Sequence, residues 1–204
     1  NTPGMGIEII NPLAQIANTY NDYNLNKLNG NVVLNYKPIS DLVFTGRLGF
    51  NTQNGQRKNF SPEIQYGGKV FDVNRSSVSQ SAVFDNNYTF DFYGTYSKTF
   101  GESKINATLG TTIFETFGNG LFATGYDVPY NSWEYADVGL ANGLPTTPPN
   151  GSYSYNDRRL SYFVRAQYDF KGRYLLSAML RRDNSSYFAP NYSVAYFPSV
   201  TGGW

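Results

Sequence analysis

Tyr88-Thr89-Phe90-Asp91-Phe92-Tyr93-Gly94-Thr95-Tyr96 is followed, across a short break at Phe100-Gly101-Glu102-Ser103, by Ile105-Asn106-Ala107-Thr108-Leu109-Gly110-Thr111-Thr112-Ile113. In the first arm Tyr88, Phe90, Phe92, Gly94 and Tyr96 fall on one side, with Thr89, Asp91 and Thr95 on the other. The second arm repeats the pattern, setting Ile105, Ala107, Leu109, Thr111 and Ile113 against Asn106, Thr108 and Thr112. Alternation of period two places one face of a strand against an apolar medium and the other against a polar one. Asp91 sharpens the assignment, because a carboxylate facing lipid or a dry core is costly and its face must therefore be wet.

Two more hairpins flank this one. Leu28, Gly30, Val32, Leu34 and Tyr36 share one face of a strand over about 25–37, opposite Asn29, Asn31, Val33, Asn35 and Lys37. Pro38 cannot donate to a ladder and pins the turn through Asp41. The return strand, about 41–52, carries Leu42, Phe44, Gly46, Leu48 and Phe50 against Thr45, Arg47, Gly49 and Asn51. In the third hairpin Leu160, Tyr162, Val164, Ala166, Tyr168 and Phe170 oppose Arg159, Ser161, Arg165, Gln167 and Asp169. After Lys171-Gly172 come Tyr174, Leu176, Ala178 and Leu180, opposite a less polar set of Leu175, Ser177, Met179 and Arg181. A short loop through Pro190 leads to a seventh strand at about 194–204.

Turns of a few residues thus close one end of the hairpins, while connections of about 53–82 and 118–156 join them at the other. Compact soluble domains rarely hold unstructured loops beyond about 12–15 residues. A meander with short turns at one rim and long loops at the other is the organisation of an outer-membrane barrel. Eleven strand residues, tilted by about 40°, rise about 28 Å, matching the apolar band of about 25 Å in such barrels. The expected fold is all-β: an antiparallel up-and-down transmembrane β-barrel, here an arc of about seven or eight strands. Ile7, Ile9 and Ile10 could supply a further strand before Asn11-Pro12, and Leu13 to Ala17 a helical turn. A closed eight-stranded barrel is one outcome; the two long loops, and chain ends that read as edges, favour a piece of a larger one.

Composition narrows the function. The 204 residues carry a net charge of +1, too small to argue for a nucleic-acid surface. With no cysteine and no histidine, thiolate metal sites, Ser-His-Asp and Cys-His enzymes and the usual zinc hydrolases are excluded from this segment. No carboxylate spacing argues for acid-base chemistry, no phosphate loop is present, and no cofactor or metal site is expected. No apolar run is long enough for a transmembrane helix, a criterion that leaves strands untouched. Eighteen tyrosines and fifteen phenylalanines beside two tryptophans suit either a barrel with aromatic interface belts or a soluble sandwich.

The run Asn11-Pro12-Leu13-Ala14, then Leu28-Asn29-Gly30-Asn31-Val32 and Leu42-Val43-Phe44, resembles the barrel of SusC/RagA-like TonB-dependent outer-membrane transporters. The resemblance is most specific in Tyr168-Asp169-Phe170-Lys171-Gly172-Arg173-Tyr174-Leu175-Leu176-Ser177-Ala178. It continues through Leu180-Arg181-Arg182-Asp183-Asn184-Ser185-Ser186 and Tyr196-Phe197-Pro198-Ser199-Val200-Thr201-Gly202-Gly203-Trp204. Asn184 stands where that family often has glycine, a mild departure since asparagine tolerates left-handed geometry. The resemblance implies a larger barrel, about 22-stranded and plugged, that imports oligosaccharides or peptides. It further implies a SusD-like surface lipoprotein, a TonB complex acting through a plug-side segment, and surrounding outer-membrane lipid as partners. No plug sequence is recognisable in the 204 residues, so residues 1–204 are expected to be a partial barrel domain in the bacterial outer membrane.

Matched to that topology, the turns at Pro38, Gly101 and Gly172 are periplasmic and the long loops extracellular. Tyr126, Tyr130, Trp133 and Tyr135, with Asp127 and Asn131, are ligand-binding candidates, because rings cover apolar sugar faces while carboxylates and amides bind hydroxyls. Packing of the same rings against a neighbour is the competing reading. Arg47, Asp91, Arg159, Arg165 and Asp169 are candidates to line a wet lumen, as substrate contacts or as ordinary solvated charges. Asp183 beside Arg181 and Arg182 offers a rim pair, although adjacent strand residues face opposite ways, so that pairing is expected to need a turn or another chain; Glu115 reads as an interface or rim charge. A soluble or surface-anchored β-rich carbohydrate-binding or adhesion module is the rival function, distinguished by solubility without detergent.

Overall fold

The computed structural model describes residues 11–65, 72–143 and 150–204. Helix α1 (Pro12–Ala17) is followed by seven strands: β1 (Tyr20–Ile39), β2 (Leu42–Ser61), β3 (Ser77–Phe100), β4 (Ser103–Tyr126), β5 (Gly151–Phe170), β6 (Tyr174–Ser185) and β7 (Val194–Gly203). They form one sheet in chain order from β1 to β7. Each strand pairs with the next, so the sheet is an up-and-down meander, open between β1 and β7 among the described residues. Among the described residues the closed eight-stranded alternative is not formed. Asn11 starts α1 by accepting the Leu13 amide on its side-chain oxygen at 3.0 Å, with proline at the first helical position. Ile7, Ile9 and Ile10, Tyr66-Gly67-Gly68, most of the excursion expected at Lys69 to Val73, and the proline run at 144–149 lie outside the described residues.

The strands outrun their apolar alternation. β2 has 20 residues, and β3 and β4 have 24 each. The connections expected at about 53–82 and 118–156 are therefore partly ladder: β2 continues to Ser61 and β3 begins at Ser77, while β4 continues to Tyr126 and β5 begins at Gly151. The extensions, such as Asn51-Thr52-Gln53-Asn54-Gly55-Gln56-Arg57-Lys58 in β2, are polar on both faces. Where both faces meet water, hydrophobic periodicity vanishes although the backbone hydrogen bonds continue.

Within the second unit, side-chain bonds report the register between β3 and β4: Ser97–Asn106, Thr95–Thr108 and Asp91–Thr112 are bonded pairs whose members step by equal and opposite amounts. No net bulge shifts the alternation between these pairs. The Lys171-Gly172 turn places both residues at positive φ (60° and 63°), and the Gly172 amide donates to Asp169 Oδ1 at 2.8 Å.

The chain divides into two compact units. The first comprises residues 1–26, 54–84 and 119–154, with a small core of Phe60, Val78, Val128 and Ala136 joined by Tyr20, Trp133, Val138 and Ala141. The second comprises residues 27–53, 85–118 and 155–204 and is inverted relative to a soluble domain. Its large apolar side chains are exposed, Leu109 at 68% and Leu34 at 72%, while Thr45, Asp91 and Ser161 are buried. Leu28, Val32, Leu34, Tyr36, Tyr88, Phe90, Phe92, Leu109, Tyr162, Val164, Leu176 and Val200 crowd the apolar face, and so many exposed rings and aliphatics on one sheet are not a water-facing surface.

Candidate functional site: the polar wall and the capped loop

In the second unit, the polar face is a set of cross-strand hydrogen-bonded rows. Arg47 Nε and Nη2 donate to Asp91 Oδ2 at 2.9 and 2.7 Å, and Thr112 Oγ1 donates to Oδ1 at 2.8 Å. Both carboxylate oxygens of this nearly buried aspartate are thereby satisfied, as a charge out of bulk water requires. The same row continues across β5 and β6, where Arg181 Nη2 donates to Ser161 Oγ at 3.1 Å and Nε to Asp183 Oδ1 at 2.7 Å. Arg181 and Asp183 pair because residues two apart on one strand share a face, so neither turn nor second chain is needed. In another row, Gln53 Nε2 and the Tyr155 hydroxyl both donate to Asp85, at 2.6 and 2.8 Å.

Of the five expected lumen residues, Arg47 and Asp91 are brought together. Arg159 lies over the Phe114 ring, 5.2 Å from its centroid. Arg165 lines an open cleft of about 460 Å³ with Lys104, Asn106 and Gln167. Asp169 lines it too, but one of its oxygens is taken by the Gly172 turn. Sequence reasoning missed the aromatic contact of Tyr93 with Phe163, centroids 6.4 Å apart, over Gly110. An isolated glycine inside an alternating strand is the signal that could have found it. Glu115 accepts from Arg158 Nε at 2.9 Å.

In the first unit, the loop after β4 is built as a cap held by its own polar residues. Asp127, at φ 57°, binds Arg75 in a forked pair, Nε to Oδ1 and Nη2 to Oδ2, each 2.7 Å. Hydrogen bonding from Arg75 holds the Asp127 carboxyl below the ordinary carboxylate range and raises the guanidinium in turn. The Arg75 guanidinium also lies 4.7 Å from the Tyr126 ring centroid. Asn131, at φ 46°, accepts the Glu63 amide at 2.7 Å and donates to the Glu63 carbonyl at 2.8 Å, imitating a strand pairing with its side chain. Trp133 stacks on Tyr20 at 5.8 Å, with Lys58 Nζ 4.4 Å from its ring centroid. The backbones of Tyr126 and Gly143 exchange hydrogen bonds at 2.7 and 2.9 Å.

Four of the six ligand candidates, Tyr126, Asp127, Asn131 and Trp133, are thus engaged within the cap. Tyr130 and Tyr135 remain open: Tyr130 is 82% exposed at φ 56°, and the two rings meet at 4.8 Å, tilted by 53°. A bulky residue held at positive φ at an exposed tip is strained, a feature that gathers at functional positions. Among the described residues no group of three or more metal-ligating side chains comes together. No helix is long and apolar enough to cross a membrane, which says nothing of strands.

No protein-family model matches the chain. The TonB-dependent receptor P3 of Formosa agariphila is 28% identical over 204 residues, covering 98% of this chain and 19% of the relative. The TonB-dependent receptor SusC of Bacteroides thetaiotaomicron is 26% identical over 196 residues, covering 95% and 18%. The RagAB peptide importer in its "open-open" state superposes with a TM-score of 0.80 at 20% identity, covering 92% of this chain and 20% of that one. Its "closed-closed" state gives 0.78 at 21% identity. The chain spans about a fifth of the length of the curated relatives it matches. The seven antiparallel strands of the described residues, unpaired there at both edges and matched over nearly their whole length, have the fold of an arc of a SusC/RagA-like transporter barrel.

Proposed function

We propose that this chain is part of the wall of a TonB-dependent importer in the bacterial outer membrane, moving oligosaccharides or peptides with a surface lipoprotein partner. The observation that carries the reading is the inverted second unit, with Leu34, Phe92, Leu109 and Val200 exposed on one face and the Arg47–Asp91–Thr112 row satisfied on the other. Lipid is the medium that stabilises such an apolar face, and a wet lumen suits the polar one. Similarity to named TonB-dependent receptors and to a peptide importer supports the same assignment. The tight turns then face the periplasm and the capped loop faces outward. The rest of the transporter, including its plug, supplies the remaining barrel and the link to TonB, and the wall itself has no catalytic task. Of the loop residues, Tyr130 and Tyr135 are the ones free to stack on an arriving ligand or on the lipoprotein.

Uptake of labelled oligosaccharides and of labelled peptides by cells carrying the full-length protein tests the proposal. TonB-dependent accumulation of one class is expected, reduced by replacing Tyr130 and Tyr135 together with alanine. Accumulation of neither class, with the protein inserted in the outer membrane and TonB present, contradicts it.

A further inference from the structure

On β6 the apolar face runs Tyr174, Leu176, Ala178 and Leu180, and then meets a cation, Arg182. The register sets Arg182 directly between Tyr162 of β5 and Tyr196 of β7. Both tyrosines are open, 49% and 62% exposed. The adjacent Arg181 and Asp183 alternate to the opposite face, where they bond each other and Ser161, so Asp183 does not neutralise Arg182. Glu115 is occupied by Arg158, and no ion pair to Arg182 is present among the described residues.

Depth gives this position meaning. Eight residues from Tyr174 to Arg182, in a strand tilted by about 40°, rise about 20 Å, against an apolar band of about 25 Å. With Tyr174 beside its turn at one boundary, Arg182 comes close to the other. An outward arginine is costly at the bilayer midplane and nearly free at the interface, where tyrosine rings also collect. A guanidinium presents a rigid fork of donors matched to phosphate oxygens, and each tyrosine hydroxyl adds another donor.

We propose that Arg182, Tyr162 and Tyr196 form a binding site for the phosphate of an anionic membrane lipid, held against the outward face of the wall. The proposal rests on the membrane reading above and commits to lipid because Leu180, Val164 and Val194 continue the apolar surface around the three residues.

The test uses the full-length protein in a neutral detergent, mixed with equal amounts of phosphatidylglycerol and phosphatidylcholine, with retained lipid counted by native mass spectrometry. Phosphatidylglycerol is expected to be retained about fivefold over phosphatidylcholine, the ratio set by one additional charge-assisted contact. Arg182→Gln brings the ratio near one, Arg182→Lys keeps most of it, and Arg165→Gln, on the polar face, leaves it unchanged. Replacing Tyr162 and Tyr196 together by phenylalanine, which keeps the rings, lowers the ratio and serves if the glutamine variant loses its β-sheet circular dichroism. An unchanged ratio in Arg182→Gln overturns the site, as does complete displacement of the preference by inorganic phosphate, which would mark a bare anion site. Failure of the wild-type protein to enter phosphatidylcholine vesicles refutes the membrane reading itself, and this site with it.

Discussion

Gly110→Ala is a demanding perturbation of the wall because the added methyl has no room. A Cβ at Gly110 would overlap Tyr93 Cβ and lie 2.7 Å from Phe163 Cζ and 2.8 Å from the Phe92 carbonyl oxygen. Two of those atoms belong to the side chains in contact over the glycine, and the third is backbone in the neighbouring strand. Relief therefore requires parting the rings and displacing β3, an overpacking cost of about 1–3 kcal/mol. Gly46→Ala is the matched control: an added Cβ there would meet nothing within 4 Å, and Gly46 also sits inside a strand. Removing unfolded-state freedom there favours the fold by about 0.5–1 kcal/mol. The two substitutions should differ by about 2–3 kcal/mol, or about 30- to 150-fold in the unfolding equilibrium. Urea titration of the full-length protein in phosphatidylcholine vesicles, followed by tryptophan fluorescence, measures the difference. Equal midpoints for the two variants would refute the claim that Tyr93 and Phe163 close over Gly110.

Other consequences are smaller. Asp91→Asn, which keeps shape but removes the charge, should cost about 1–2 kcal/mol, less than a fully buried pair because Arg47 is 55% exposed; a cycle with Arg47→Gln should show coupling between the two. Because the Asp127 carboxyl is depressed by Arg75, the clamp stabilises the loop above the unfolded carboxylate value of about 3.9 and loses that contribution as pH falls through the folded value. Amide exchange in residues 127–143, corrected for intrinsic rate, should therefore accelerate in wild type, but not in Asp127→Asn, as pH falls below the unfolded carboxylate value of about 3.9. Asn131→Ala removes both bonds to Glu63 and should raise local opening of the loop by about 1–2 kcal/mol, read as faster limited proteolysis with an unchanged global midpoint.

What the sequence made legible was the alternation of an apolar and a polar face. Leu28 to Tyr36, Tyr88 to Tyr96 and Leu160 to Phe170 alternate because apolar and wet media lie on opposite sides, and all three are strand in the structure. The helical turn expected at Leu13 to Ala17 is α1, although the local cap from Asn11 that starts it was not read from the sequence. Gln53 to Lys58 carried no such signal, since a ladder with water on both faces needs no alternation. The cap was hidden for another reason. Asp127 meets Arg75, 52 positions away in the chain, and Asn131 meets Glu63, 68 away, and side-chain pairs at such separation leave no periodic trace. The Arg181–Asp183 bond was within reach of sequence reasoning, because spacing by two on a strand already places both on one face.

The central claim is that one face of this sheet meets lipid and the other water, and site-directed labelling tests it most directly. The chain has no cysteine, so single cysteines at 105, 107, 109 and 113, and at 106, 108 and 112, introduced into an otherwise cysteine-free full-length protein, can each carry a nitroxide. In reconstituted vesicles the odd-numbered set should be reached by oxygen dissolved in the bilayer and the even-numbered set by a water-soluble nickel chelate, alternating residue by residue. Equal access of the nickel chelate to both sets would show that Leu109 and its neighbours face water, and the chain would then be a soluble β-module.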